Sequence, residues 1–216
     1  MRLSQKWIDR HAAMADPPRP KKYVRYAAES AFFPITEKDP PLPDGTFSVI
    51  YADPPWRYDH GDVVEGGVEE KYPTMALEDI CAFGAKLKPH IADHSILFLW
   101  ATVARLPDSL HVMEAWGFRY LTNMIWDKKQ LGGIGYYLMG RHELLLIGKH
   151  GNPPPPLPKD RPESIFVEQK RGHSRKPLVA YDLIERMYPH GKYLELYSRN
   201  ERPGWTMWGT GSGLDR

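Results

Sequence analysis

Asp53-Pro54-Pro55-Trp56 sets a carboxylate, two prolines and a large aromatic in consecutive positions, directly after the short apolar run Phe47 to Ala52. Neither proline has a backbone N–H, so the chain offers carbonyl acceptors there with no donor at either position, and Asp53 completes a rigid set of acceptors. An exocyclic amino group with two hydrogens is the complementary donor. Trp56 presents a flat face on which a base could stack for about 1–3 kcal/mol. The amino nitrogen of adenine is a poor nucleophile because its lone pair is delocalised into the ring. Hydrogen bonds from its two N–H groups to Asp53 and the Pro54 carbonyl would draw that nitrogen towards a tetrahedral shape and free the lone pair to attack an electrophilic methyl group. Positive charge would build on nitrogen beside the carboxylate, which stabilises it as it appears. The proton would then leave to water or to Asp53, and alignment with electrostatics would supply most of the rate. The plain alternative is a tight turn closing a strand.

Such a motif needs a frame that presents it. Phe47 to Ala52 and Ser95 to Ala101 have strand length and apolar character. Between them, Ala76 to Leu87 shows helical spacing through Ile80, Phe83 and Leu87, with Thr74 placed to cap it. Asp108 to Trp116 is a second predicted helix, stopped by Gly117. Tyr120 to Trp126 and Glu143 to Gly148 read as strands on either side of a Gly- and Tyr-rich loop, and Ser164 to Val167 as another. A helix is predicted from Pro177, as its first residue, to Met187, followed by a strand over Lys192 to Tyr197 and a short one over Trp205 to Trp208. Alternation of this kind predicts an α/β fold, a mostly parallel sheet with helices on both faces and its ligand site at the carboxyl ends of the strands. Residues 1–46 differ: they are basic and proline-rich and read as an N-terminal arm, solvated or touching phosphates, ahead of a single domain over 47–216.

Composition bounds the function classes. Twenty-nine basic against 27 acidic side chains leave a formal charge of +2, so any polyanion must be met by a local patch. Proline, at 21 of 216 residues, is about twice as frequent as its usual share of about 5%. The excess falls mainly between Pro17 and Pro43 and between Pro153 and Pro162, which cannot be helix or central strand. The single Cys81 excludes an intramolecular disulfide and predicts a reducing, cytoplasmic setting. The histidines fall in no metal-binding spacing, so no metal is expected. No apolar run is long enough to span a membrane, and no secretory signal is apparent at the N-terminus.

Beyond the tetrapeptide, the order of Tyr72-Pro73-Thr74-Met75, Leu97-Phe98-Leu99-Trp100, Trp116-Gly117-Phe118, Ile125-Trp126-Asp127-Lys128, Gly148-Lys149-His150-Gly151-Asn152, Ser174-Arg175-Lys176-Pro177, Leu183-Ile184-Glu185-Arg186 and Leu194-Glu195-Leu196-Tyr197-Ser198-Arg199 resembles one family. This is the group of N6-adenine methyltransferases typified by the catalytic subunit of the mRNA adenosine methyltransferase, the MT-A70 family, and the resemblance runs from about Phe47 to Gly211. It implies a Rossmann-like methyltransferase fold using S-adenosyl-L-methionine, with the catalytic segment ahead of the main cofactor strand. Carried over by position, Asp53, Pro54, Pro55 and Trp56 match the catalytic motif. Lys176 matches a lysine at the methionine end of the cofactor, Glu195, Leu196 and Arg199 match residues around its ribose and adenine, and Asp53, Asn200 and Thr210 are further expected cofactor contacts. An Asp-Ile pair that relatives carry before the first strand has no counterpart, Phe33-Pro34-Ile35-Thr36 being the nearest candidate, and Thr210-Gly211 stands where relatives have Asn-Gln.

Two loops and a basic turn are the expected nucleic-acid contacts. One loop runs from Arg57 to Tyr72 and includes Tyr58; it is also acidic and reads as a lid. The other, Lys128 to Arg141, mixes Lys128, Lys129 and Arg141 with tyrosines, and the turn from Lys170 to Lys176 adds Arg171 and Arg175. DNA is favoured over RNA because the chain resembles stand-alone bacterial or phage members, and a monomer or homodimer is expected. The competing readings are an RNA methyltransferase, a catalytically inactive nucleic-acid scaffold, a protein-glutamine methyltransferase, whose motif would normally be Asn-Pro-Pro-Tyr, and a proline-rich adaptor built on Pro153 to Pro158.

Overall fold

The computed structural model describes residues 41–57, 74–129, 137–169, 175–198 and 202–209. Seven strands, β1 (Phe47–Ala52), β2 (Ile91–Ala101), β3 (Arg119–Asp127), β4 (His142–His150), β5 (Ile165–Val167), β6 (Tyr193–Leu196) and β7 (Trp205–Trp208), form one sheet. Its order is β5-β3-β4-β2-β1-β6-β7. Only β4 runs against the others, pairing antiparallel with β2 and β3. The carboxyl ends of β1, β2, β3, β5, β6 and β7 therefore share one edge with the amino end of β4.

Helices α1 (Leu77–Leu87) and α2 (Leu106–Ala115) cover one face. Ile80, Phe83, Leu87, Val112 and Met113 pack there against Ile50, Leu97, Leu99 and Leu194. Helix α3 (Val179–Met187) covers the other, where Ala180, Tyr181 and Ile184 meet Val49, Tyr51, Phe98 and Trp100. This is the expected α/β arrangement, and because β1 and β2 are buried on both faces they read as continuous apolar runs. The α1–α2 contact is close at Gly84, where a Cβ would lie 2.8 Å from the Ala115 carbonyl oxygen. Gly117, at φ +83°, ends α2: its N–H bonds the Glu114 carbonyl and that of Phe118 bonds the Met113 carbonyl, the pairing of a Schellman motif.

All three predicted helix starts shift, α2 beginning at Leu106 with Pro107 in its first turn, two residues ahead of the predicted Asp108. Thr74 does not cap α1; Ala76 holds that position without a side-chain cap. Pro177 is not the first residue of α3, which begins at Val179 and is capped from a distance, its Val179 N–H donating to Glu168 Oε2 at 2.9 Å. The predicted arm lies almost wholly outside the described residues, as do Tyr58, Tyr72, Arg171, Arg199, Asn200 and Thr210. Among the described residues no helix is long and apolar enough to cross a membrane, and no His/Cys/Asp/Glu group has metal-binding placement.

Candidate active site

Asp53 leaves the carboxyl end of β1, and the backbone after it is fixed by its own turn. The Trp56 N–H donates to the Pro54 carbonyl at 2.8 Å, and the Met75 N–H donates to the Pro55 carbonyl at 2.8 Å. A carbonyl has two lone pairs, so the Pro54 oxygen retains acceptor capacity beyond its bond to Trp56, while the Pro55 oxygen ties the motif to the segment entering α1. Trp56 has a different job from the stacking face expected of it. Its indole is 7% exposed, packs in the α1-side core and donates Nε1–H to the Trp100 carbonyl at 3.3 Å. It anchors the motif from beneath. Arg105, which also pairs with Asp108 at 2.9 Å, donates to the Arg57 carbonyl and pins the exit of the motif.

Four charged side chains converge on this edge. Lys176 Nζ lies 3.0 Å from Asp53 Oδ1 and 2.8 Å from Glu143 Oε2, and Lys128 Nζ lies 2.6 Å from Glu143 Oε1. The two ammonium groups sit over Trp100 and Trp126 at 5.2 and 5.4 Å from the ring centroids, a cation–π geometry. Burial acts to lower the affinity of Lys176 for its proton, yet Asp53 and Glu143 outweigh it and hold the ammonium above the ordinary lysine value. Burial likewise pushes Glu143 up, but Lys176 and Lys128 prevail and bring it to about 2. Both groups are charged at neutral pH. Lys176 is brought here by the segment between β5 and α3, itself held by the Glu168 cap and by Trp126 Nε1–H donating to the Glu168 carbonyl at 2.8 Å.

Glu195, expected as a cofactor contact, stands opposite Tyr51 in the β1–β6 register. Its side chain points away from Leu194 and Leu196, as alternation requires, but does not face solvent: it is 6% exposed under α3. Tyr181 donates its hydroxyl to Oε1 at 2.8 Å, while Oε2 is buried without a hydrogen-bond partner among the described residues. Burial raises the carboxyl to about 7, against the opposing bonds from Tyr181 and Ser198. A buried carboxylate oxygen still wanting a donor, at a strand end on the ligand edge, suits a sugar hydroxyl. Leu196, the last residue of β6, is buried in the α1-side core at the carboxyl end of the strand. Tyr197 follows it in the left-handed region at φ +62°, a conformation uncommon for a bulky residue and concentrated at functional turns.

The predicted nucleic-acid residues divide. Lys128 is turned inward, its side chain 15% exposed and paired with Glu143, because the cost of burying Glu143 demands a second cation. It is not a phosphate contact in this arrangement. Arg141 is exposed but committed to Asp127 through Nε–Oδ1 at 2.7 Å and Nη2–Oδ2 at 2.6 Å. That fork, with the Lys128 N–H donating to the Arg141 carbonyl and the Lys129 N–H to Asp127 Oδ1, closes the neck of the β3–β4 connection. Hydrogen bonds from Arg141 hold the Asp127 carboxyl well below the usual range. Lys129 and Arg175 are exposed. Arg141→Lys replaces the planar fork with a point charge and is expected to speed amide hydrogen exchange at residues 127–129 and 137–141 while leaving the thermal midpoint nearly unchanged. Unchanged exchange there would show that the neck does not depend on the fork.

Glu143 was not expected at the site. Its only local signal is alternation: it lies at the start of an apolar strand and shares a face with Leu145 and Ile147, so a charge there falls on a buried face.

Comparison with known proteins agrees with this geometry. The MT-A70 family model matches residues 47–211. The type II methyltransferase M.MunI of Mycoplasma is 33% identical over 195 residues, covering 82% of this chain and 82% of that protein. The Arabidopsis thaliana N(6)-adenosine-methyltransferase MT-A70-like protein is 30% identical over 74% of this chain, and the human catalytic subunit METTL3 is 28% identical over the same share, but the chain spans only 23% and 27% of their lengths. With Asp53-Pro54-Pro55-Trp56 at the carboxyl end of β1 and a family match running through every strand of the sheet, this chain belongs to the MT-A70 family of N6-adenine methyltransferases.

Proposed function

We propose that this protein transfers the methyl group of S-adenosyl-L-methionine to the N6 amino nitrogen of adenine in DNA. The observation that carries the reading is the Asp53 carboxylate, fixed by Lys176 at 3.0 Å beside the Pro54 carbonyl at the carboxyl end of β1. DNA is favoured because the match to M.MunI extends over most of both chains, whereas the adenosine methyltransferases share only a fraction of their length with this one.

The residues present suit the cofactor. Glu195, whose buried Oε2 has no hydrogen-bond partner among the described residues, would accept hydroxyl donors of its ribose, and the third donor of the Lys176 ammonium, beyond those used by Asp53 and Glu143, would meet its carboxylate. Arg199, Asn200 and Thr210 are proposed further contacts. When bound, the cofactor would supply an electrophilic methyl on its sulfonium: a new N–C bond to that methyl would form as its C–S bond breaks, with the thioether S-adenosylhomocysteine leaving. Asp53 and the Pro54 carbonyl would accept hydrogen bonds from the two amino N–H groups, orienting the lone pair. Asp53 then faces the cationic nitrogen and either takes the departing proton or passes it to water. Tyr58, Tyr72, Lys129, Arg171 and Arg175 are proposed nucleic-acid contacts. A base in duplex DNA would have to leave the stack to reach Asp53, which single-stranded substrate avoids.

Transfer of labelled methyl to matched single-stranded DNA, duplex DNA and RNA, followed by nucleoside analysis, tests this. N6-methyladenine is expected, with DNA the better substrate. No N6-methyladenine on any of the three overturns the reading, and a preference for RNA overturns the DNA assignment.

A further inference from the structure

We infer that Glu143 and Lys128 are positioning residues that act on the reaction through Lys176, forming with Asp53 a chain of alternating charge, Lys128–Glu143–Lys176–Asp53, that leaves the Asp53 carboxylate able to serve the adenine amino group. The inference rests on the proposed adenine methyl transfer at Asp53. It assigns to these two residues a part in the chemistry, and it removes Lys128 from the nucleic-acid surface.

The three contacts of the chain measure 2.6, 2.8 and 3.0 Å and join four separate elements: the end of β3, the start of β4, the segment before α3 and the end of β1. Only the antiparallel β4 could deliver a residue from its amino end to this edge, and its register places Glu143 opposite Trp126. The side chains of Lys128, Glu143 and Lys176 are 15%, 14% and 18% exposed, whereas Asp53 at the end of the chain is 23% exposed. Two cations and two anions cancel, so the cluster can be held out of water without a net buried charge.

The consequence concerns how strongly Lys176 holds Asp53. An ammonium facing one carboxylate alone would direct its full attraction to that carboxylate, lowering its basicity. Asp53 would then be a weaker acceptor for the amino N–H and a weaker partner for the positive charge developing on nitrogen. Glu143 shares the ammonium and lightens that hold, while Lys176 still fixes the orientation of Asp53. Lys128 in turn keeps Glu143 ionised in a buried setting. The charged groups facing Glu143 are Lys128 just after β3 and Lys176 ahead of α3, with Asp53 behind Lys176; Asp127 and Arg141 pair with each other at the neck.

The test compares Glu143→Gln, Lys128→Met and the double variant with wild type, using S-adenosylmethionine and a single-stranded DNA substrate and following N6-methyladenine. Glu143→Gln is expected to lower kcat about 10-fold to 100-fold, less than the about 100-fold to 1,000-fold loss that follows removal of a directly stabilising group. KM for both substrates should change less than about 3-fold, as befits a group acting only in the transition state. Lys128→Met leaves Glu143 with Lys176 alone, so burial moves its carboxyl upward and kcat gains an acid limb between roughly pH 4 and 7. Wild type should lack that limb, and so should the double variant, which has no carboxyl at position 143 to titrate. Should Glu143→Gln not fold, the Lys128→Met profile reads the same coupling. Unchanged kcat in Glu143→Gln, a loss expressed wholly in KM, or a Lys128→Met profile parallel to wild type overturns the chain. If Asp53→Ala retains methyl transfer in the same assay, the underlying reading fails and the chain with it; if Asp53→Ala is inactive while Glu143→Gln matches wild type, only the chain fails.

Discussion

Asp53→Ala is expected to lower methyl transfer by on the order of 1,000-fold or more, because one side chain both aligns the amino nitrogen and faces the charge that develops on it. Asp53→Asn separates those two contributions. The amide keeps the size of the carboxylate and an acceptor oxygen, so orientation of one N–H survives, but the negative charge is gone. The variant should therefore still lose about 100-fold to 1,000-fold in kcat. Folding should survive either change. Asp53 is partly exposed, and Lys176 retains Glu143 at 2.8 Å as a counter-ion, so no buried cation is left unpaired. KM for DNA should move little, since phosphate contacts dominate nucleic-acid affinity. Steady-state kinetics with N6-methyladenine as the measured product decides the matter. An Asn variant within a few-fold of wild type would show that the carboxylate charge plays no part.

Much of this frame is legible in the sequence where local pattern decides the structure. Phe47–Ala52 and Trp205–Trp208 end where the chain turns polar or rigid, and both strands match their predicted limits. The end of α2 follows from Gly117, because few other residues adopt its φ of +83° without strain. The helix starts are less legible. Thr74 has the chemistry of a cap, but the helix begins three residues later, and α3 takes its cap from Glu168 on a separate segment, which no reading of neighbouring residues supplies. The site divides along the same line. Asp53 and Lys176 carry local motifs and do meet. Glu143 and the inward turn of Lys128 depend on β4 inserting antiparallel between β2 and β3, a choice of partner made by the whole sheet. Trp56 shows a further limit: its residue type is equally suited to stacking on a base and to filling the core, and the bridge to Met75 together with burial under the motif selects the core.

Glu195→Gln is expected to make the protein more stable and to weaken the cofactor's hold, two effects with one cause. Burial under α3 raises the Glu195 carboxyl from 4.5 to about 7, so the folded state binds a proton that the unfolded state releases between those values. Stability attributable to this group is full below about pH 4.5, falls as pH rises towards 7 and is lost above it. At pH 8 the penalty for ionising the buried group is up to about 3 kcal/mol, from roughly 1.4 kcal/mol per unit. Glutamine keeps the acceptor for the Tyr181 hydroxyl, which lies 2.8 Å from Oε1, and has no charge to bury. Its thermal midpoint at pH 8 should therefore exceed that of wild type by several degrees, at roughly 2–4 °C per kcal/mol for a chain of this size. Near pH 5, where wild type already holds the proton, the difference should nearly vanish. Oε2 has no hydrogen-bond partner among the described residues, and a bound diol would supply hydrogen bonds to this charged acceptor worth about 1.5–3 kcal/mol. Loss of that charge should weaken S-adenosylmethionine binding roughly 10-fold to 100-fold. Wild-type affinity should rise with pH through about 7, and that of Glu195→Gln should lack this component. Thermal melts and calorimetric titrations at pH 5 and pH 8 read both effects. A midpoint difference independent of pH would refute the buried-carboxylate account, and an unchanged cofactor affinity would refute the ribose assignment while leaving the stability argument standing.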